Sequence, residues 1–160
     1  MPLRVGIGYD IHKKAAKRPL VLGGVRFKTD WGLAGHSDAD VLAHAIGDAL
    51  LGALALGDLG KHFPNDDPQW KDRSSMVLLT LIRAMVAGRG GRIVNVDATV
   101  VAAAPQISPV RDEMCTNIAQ ALKLSGDQVS VKATTNESLD ALGRGDGIAA
   151  WAVALVEVTE

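Results

Sequence analysis

Bulky and small residues alternate along residues 3–9, where Val5 and Ile7 are interleaved with Gly6 and Gly8. That period of two predicts a strand whose glycines let another backbone or a ligand come close. Apolar residues at 19–22 and 25–27 flank Gly23 and Gly24, the signal of a two-residue hairpin, and the lysine-rich stretch at 13–17 reads as a surface loop. Ser37, three residues ahead of Asp40, opens an apolar-periodic run to Leu56 and predicts a capped helix. A second helix is predicted over 74–87 from Val77, Leu78, Leu81, Ile82 and Met85, with Gly88, Gly90 and Gly91 ending it. The intervening 57–69 is rich in Gly, Pro, Asn and Asp, a turn segment too polar for a core and expected to be mobile. Strand, helix, strand and strand are then predicted over 93–103, 109–122, 128–134 and 148–158. This order predicts one domain over 1–160, a single sheet with helices mainly on one face.

Composition narrows the classes. With 48% hydrophobic and 22% charged residues in 160, the chain is built for one globular core rather than for disorder. Three Trp, one Tyr and two Phe leave that core to aliphatic side chains. A net charge of -1 without a run of five like charges argues against nucleic acid or an anionic membrane as partner. The single cysteine, Cys115, cannot form an internal disulfide, which fits a reducing compartment. The longest uncharged stretch, 98–110, is broken by Pro105 and Pro109 and is shorter than the roughly 18 residues of a membrane span. No signal or transit segment is read at the start, so a bacterial cytoplasmic location is expected.

Candidate chemistry begins where the first strand ends. Asp10 and His12 lie two positions apart, so extended backbone projects them from one face. With His44 from the first helix they form an oxygen, nitrogen, nitrogen set with an open fourth position, the pattern of a catalytic zinc site. Spacing alone is a weak signal, because a helical histidine is more often a packed or surface residue. Asp40 and Asp48, four residues either side of His44, can each accept its second N–H or simply be solvated helix charges. His36 and Ser37 stand beside the predicted helix start, where an anion would be favoured. Asp58, Leu59 and Gly60, with Phe63, Pro64, Asn65, Asp66 and Asp67, can close over a polar substrate or form a solvated loop. Lys132, Ala133, Thr134, Thr135, Asn136 and Glu137 offer hydroxyls and a carboxylate for phosphate and a hard cation, or for capping the end of a strand. A dinucleotide fingerprint fails because Ile11 takes the place of its third glycine, and no P-loop is present. The Asn136-Glu137-Ser138 sequon and the Arg144-Gly145-Asp146 tripeptide have no occasion to act without a secretory signal.

Taken together, GIGYDIH at 6–12, RPLVLGGV at 18–25, GHSDADVLAHAIGDALLGA at 35–53, LGDLGKHFP at 56–64 and KATTNE at 132–137 resemble the 2-C-methyl-D-erythritol 2,4-cyclodiphosphate synthase family. The resemblance spans the whole chain, and the run at 35–53 is highly specific. It implies a homotrimer of α+β subunits with a mixed sheet. The implied reaction is conversion of 4-diphosphocytidyl-2-C-methyl-D-erythritol 2-phosphate to the cyclic diphosphate with release of CMP, a phosphorus-oxygen lyase step of non-mevalonate isoprenoid synthesis. It implies that Asp10, His12 and His44 hold Zn²⁺ and that Glu137 helps place Mg²⁺ or Mn²⁺ on the diphosphate. His36 and Thr135 are implied to steady the transition state. Implied substrate contacts are His36, Ser37 and the residues named in 58–67 near the erythritol phosphate. Ala102, Ala103, Ala104, Pro105, Gln106, Ile107 and Ser108 join Lys132, Ala133, Thr134, Thr135, Asn136 and Glu137 around the cytidine diphosphate, with this side supplied by a neighbouring subunit.

The pattern is not followed everywhere. Asn65 replaces an acid, Gln106 replaces a lysine, and Ala141 replaces an aromatic residue in the stretch that, with Arg144, borders a central cavity for isoprenoid diphosphates in the family. That cavity ligand is not carried over. The changes at Gln106, Asn136 and Ala141 motivate a second reading, a non-catalytic nucleotide or isoprenoid-phosphate sensor on the same fold, and the open metal position motivates a third, a zinc-dependent phosphohydrolase.

Overall fold

The computed structural model describes residues 2–159. Its first strand, β1 (Leu3–Ala16), pairs antiparallel with the last, β7 (Gly147–Val158), from Leu3 opposite Glu157 to Lys13 opposite Gly147. β5 (Gly91–Val101) lies antiparallel on the other side of β7, with an irregularity between Ile93 and Asn95. β6 (Val129–Thr134) adds to β5 in parallel, and β4 (Trp31–Leu33) closes the opposite edge against the end of β1. The sheet order is thus β4-β1-β7-β5-β6, a mixed sheet. A separate ribbon, β2 (Leu20–Leu22) with β3 (Val25–Phe27), turns through Gly23 and Gly24, whose φ values of 56° and 71° suit the left-handed geometry of a tight hairpin.

Three helices cover one face: α1 (Val41–Ala53), α3 (Ser75–Gly88) and α4 (Arg111–Leu122). The glycines of β1 explain how closely α1 sits. A Cβ on Gly6 would stand 1.9 Å from the carbonyl oxygen of Ala49, and one on Gly8 would stand 1.8 Å from that of Ala45. No side chain fits between strand and helix there. Ala150, Ala152 and Ala154 of β7 continue the shallow bed, and Leu42, Ile46 and Leu50 are fully buried in the aliphatic core. The other face of β1 and β7 is uncovered in the single chain. Val5, Ile7, Tyr9, Ile11, Trp151 and Val153 stand exposed there, and Tyr9 opposes Trp151 with ring centroids 4.7 Å apart.

Several boundaries depart from the sequence pattern. The lysine-rich stretch expected as a loop continues β1 to Ala16, because pairing with β7 and β4 satisfies its backbone and Lys14 lays its ammonium over Trp31 at 4.4 Å. β4, three residues long, was not predicted. The helix start shifts from Ser37 to Asp40, whose side chain accepts from the Ala43 N–H, and the helix ends at Ala53 instead of Leu56. Within the turn-rich segment lie a short helix α2 (Leu59–His62) and a 3₁₀ turn at Pro68–Trp70, with Phe63 buried against Trp70 edge to face. A further one-turn helix, α5 (Asp140–Gly143), precedes β7.

Candidate metal centre and active site

Asp10 and His12 project from β1 on the same face as Gly6 and Gly8, so the helix that packs on those glycines delivers His44 to them. Three ligand atoms converge. Oδ2 of Asp10 lies 2.8 Å from Nε2 of His12 and 2.9 Å from Nδ1 of His44, and the two nitrogens are 3.2 Å apart. Ligand atoms of a tetrahedral ion held at about 2.0–2.1 Å are separated by roughly 3.3 Å, so this triad fits a divalent metal after a small expansion. Among the described residues it is the one His, Cys, Asp or Glu group with that convergence.

The hydrogen bonds around the triad favour ligation. Nδ1 of His12 lies 2.6 Å from the carbonyl oxygen of Ala34, which can only accept, so Nδ1 carries a proton and Nε2, facing Asp10, is the nitrogen left to bind an ion at the centre. Burial disfavours the charge on Asp10, but the hydrogen bonds and charges of His12 and His44 prevail and hold its carboxyl at about 2. His12 is raised above its ordinary 6.5: burial would lower it, but Asp10 and the Ala34 carbonyl outweigh that.

The second nitrogen of His44 does not meet Asp40 or Asp48, the two partners the spacing offered. Nε2 lies 3.0 Å from the hydroxyls of both Ser37 and Ser75. Asp40 is turned away, accepting from the backbone N–H groups of Gly23 (2.9 Å), Gly24 (2.8 Å) and Ala43 (3.0 Å). Burial and the neighbouring Asp38 push its carboxyl up to about 6. Asp48 accepts from the Leu59 N–H at 2.8 Å and thereby ties α1 to α2. Ser75 and its partner Asp38 escaped the sequence reading because a contact across 37 residues leaves no local pattern.

The triad opens into a cavity of about 340 Å³. Its walls include His36, Ser37, Asp58, Leu59, Gly60, Phe63 and Asn65 among the residues read from sequence as substrate contacts, Asp48, read as a possible imidazole partner, and Gly35, Trp70 and Leu78, which were not read as site residues. His36 donates its Nε2–H to the Asp67 carbonyl at 2.9 Å, so the segment 64–67 braces the ring from outside the cavity. Pro64, Asp66 and Asp67 do not line it.

A second cluster forms elsewhere in the same chain. At the ends of β5 and β6, Val101 is registered with Thr134, and the Ala102 N–H donates to the Thr134 carbonyl at 3.1 Å. The Ala104-Pro105 bond beyond it is cis. Lys132 is paired with Asp97, Arg144 with Asp146, and the Glu137 N–H donates to the Thr135 hydroxyl at 3.2 Å. Residues 102–108, 132–137, Ala141 and Arg144 do not line the triad's cavity within one chain.

The model of the YgbB family matches residues 3–157. The chain belongs to the YgbB family. It is similar throughout to the 2-C-methyl-D-erythritol 2,4-cyclodiphosphate synthase of Thermosynechococcus vestitus, 55% identical over 157 residues that cover 98% of each chain. Among solved structures, the IspF of Plasmodium falciparum in complex with CDP superposes with a TM-score of 0.86 at 34% identity, covering 99% of this chain and 97% of that one. The bifunctional IspDF of Campylobacter jejuni superposes at 0.95 with 38% identity over 99% of this chain, which spans 43% of that larger protein. The family of cyclodiphosphate synthases that the motifs pointed to is therefore the family of the whole YgbB chain.

Proposed function

We propose that this YgbB-family chain converts 4-diphosphocytidyl-2-C-methyl-D-erythritol 2-phosphate to 2-C-methyl-D-erythritol 2,4-cyclodiphosphate and CMP, in non-mevalonate isoprenoid synthesis. An oxygen of the substrate's 2-phosphate bonds to the β-phosphorus while the bond from that phosphorus to the oxygen bridging it to the α-phosphate breaks, and CMP leaves with that oxygen. Attacking and attacked groups are both anionic, so repulsion is the barrier. The observation that carries the reading is the convergence of Asp10, His12 and His44 on one point beside a polar cavity.

A Zn²⁺ held by Asp10, His12 and His44, with Mg²⁺ or Mn²⁺ placed by Glu137, would supply neutralisation of phosphate oxygens and a template for folding the substrate. The protein's own groups do the rest. Ser37 and His36 stand at the cavity wall to orient the 2-phosphate, and Asp58, Leu59, Gly60, Phe63 and Asn65 enclose the erythritol. Pro64, Asp66 and Asp67 shape that wall from behind. Thr135, with His36, steadies charge that builds in the transition state. Residues 102–108 with Lys132, Ala133, Thr134 and Asn136 hold the cytidine diphosphate. Ala141 and Arg144 lie beyond them.

The separation of the two clusters within one chain supports a site completed by a neighbouring subunit, and the bare sheet face supports a homotrimer. Val5 is 68% exposed and Ile7 71% exposed on a strand centre, surface that an assembly would cover. Among the described residues no helix is long and apolar enough to cross a membrane. The test is incubation of the protein with the cytidyl substrate and Mg²⁺. Release of CMP with the cyclic product is expected. Binding without turnover would favour the sensor reading, and a linear hydrolysed product the phosphohydrolase; either result contradicts the synthase.

A further inference from the structure

One of the two hydroxyls on Nε2 of His44 is not free to point either way. A serine hydroxyl has one proton and can donate it to an imidazole lone pair or accept an imidazole N–H. At Ser75 the direction is set by Asp38. The Ser75 hydroxyl donates to Oδ1 of Asp38 at 2.5 Å, and the Ser75 backbone N–H donates to Oδ2 at 2.9 Å. An ionised carboxylate only accepts, so the hydroxyl proton is committed and the lone pairs of Ser75 Oγ face His44. Nε2 must then carry a proton, and Nδ1, 2.9 Å from Asp10, is the nitrogen left to ligate an ion at the centre. Ser75 is 1% exposed and opens α3, so this arrangement is sheltered from competing water.

We propose that Asp38, acting through the Ser75 hydroxyl, is a positioning residue of the metal centre: it holds His44 in the tautomer that leaves Nδ1 free to ligate. This rests on the reading that Asp10, His12 and His44 bind a metal ion. His12 reaches the same end through the Ala34 carbonyl, so each imidazole has its own device for fixing the proton on its outer nitrogen. Ser37 has no acceptor for its own proton on a protonated Nε2 and keeps it for a ligand in the cavity.

The test uses the full chain and Zn²⁺ alone. In Asp38→Asn the amide can donate to Ser75 Oγ, which lets the hydroxyl turn its proton toward His44 and favours the wrong tautomer. Zn²⁺ affinity, measured by chelator competition, is expected to fall about tenfold to a hundredfold. Nitrogen-15 spectra of the metal-free proteins should show Nε2 of His44 protonated in wild type and losing that proton in the variant. Ser75→Ala should weaken binding as well, and Ser75→Thr, which keeps a hydroxyl, should retain it. A simple tether between the loop and α3 would lower the Tm of Asp38→Asn while leaving both Zn²⁺ affinity and the nitrogen-15 pattern unchanged, and that result overturns the proposal. Should Asp38→Asn not fold, wild-type affinity in Ser75→Ala overturns it instead. Wild-type protein that does not bind Zn²⁺ would defeat the metal reading itself, whereas equal tight binding by wild type and Asp38→Asn would defeat the relay alone.

Discussion

Nδ1 of His44 lies 2.9 Å from Oδ2 of Asp10, although one side chain comes from a helix and the other from a strand 34 residues earlier. Helix and strand can come this close because Gly8, two residues before Asp10, has no Cβ to meet the Ala45 carbonyl. Gly8→Ala should therefore displace α1 and cost about 1–3 kcal/mol or more of stability from overpacking. Urea denaturation and metal content should fall together in this variant. Loss of stability with full metal binding would show that the close approach does not set the centre.

Metal-stripped protein has a pH signature. Asp10 is lowered from 3.8 to about 2, so its contribution to stability is present above 3.8 and is lost as pH falls toward the folded value. His12 is raised above 6.5, so its contribution is present below 6.5 and is lost as pH rises through its folded value. Both contributions are complete only between 3.8 and 6.5. The Tm difference between chelator-treated wild type and chelator-treated Asp10→Asn should peak in that window and shrink on either side. Scanning calorimetry that finds a flat difference contradicts the pairing.

Asp40 separates a structural aspartate from one serving the metal. Asp40→Ala removes a helix cap and leaves the Gly23 and Gly24 N–H groups without a partner, which should cost about 1–3 kcal/mol. Zn²⁺ affinity of the folded fraction should stay near wild type, because the side chain makes no hydrogen bond to His44. A large loss of affinity in well-folded protein would restore Asp40 as the imidazole's partner.

How far this centre could be read in advance depended on sequence distance. The shared face of Asp10 and His12 follows from strand alternation, and the spaced glycines of β1 announce a close neighbour. The helix carrying His44 shows in its apolar period. The partners of the imidazoles do not show, since the Ala34 carbonyl is a backbone group and Ser75 looks like any residue at a helix start. β1 extends past its sequence signal for a related reason: Lys13, Lys14, Ala15 and Ala16 have little strand preference, and pairing of Lys13 with Gly147 and of the other three with Trp31–Leu33 decides their conformation. The expected Ser37 cap failed because Asp40, three residues on, lies where both the helix and the glycine hairpin can use it.

The uncovered face of β1 and β7 gives a prediction about assembly. Ile7→Lys places a charge at the centre of the exposed apolar strip without touching the helix side of the strand. Sedimentation should show wild type as a trimer and this variant as a smaller species, with activity lost alongside the assembly. A wild-type monomer that turns over substrate would rule out a site shared between subunits.

The central claim is that Asp10, His12 and His44 hold one metal ion, and elemental analysis of wild type beside His44→Ala tests it most directly. Wild type should carry about one zinc per chain and the variant little, with the helix still folded by circular dichroism. Full zinc occupancy in folded His44→Ala would contradict the account.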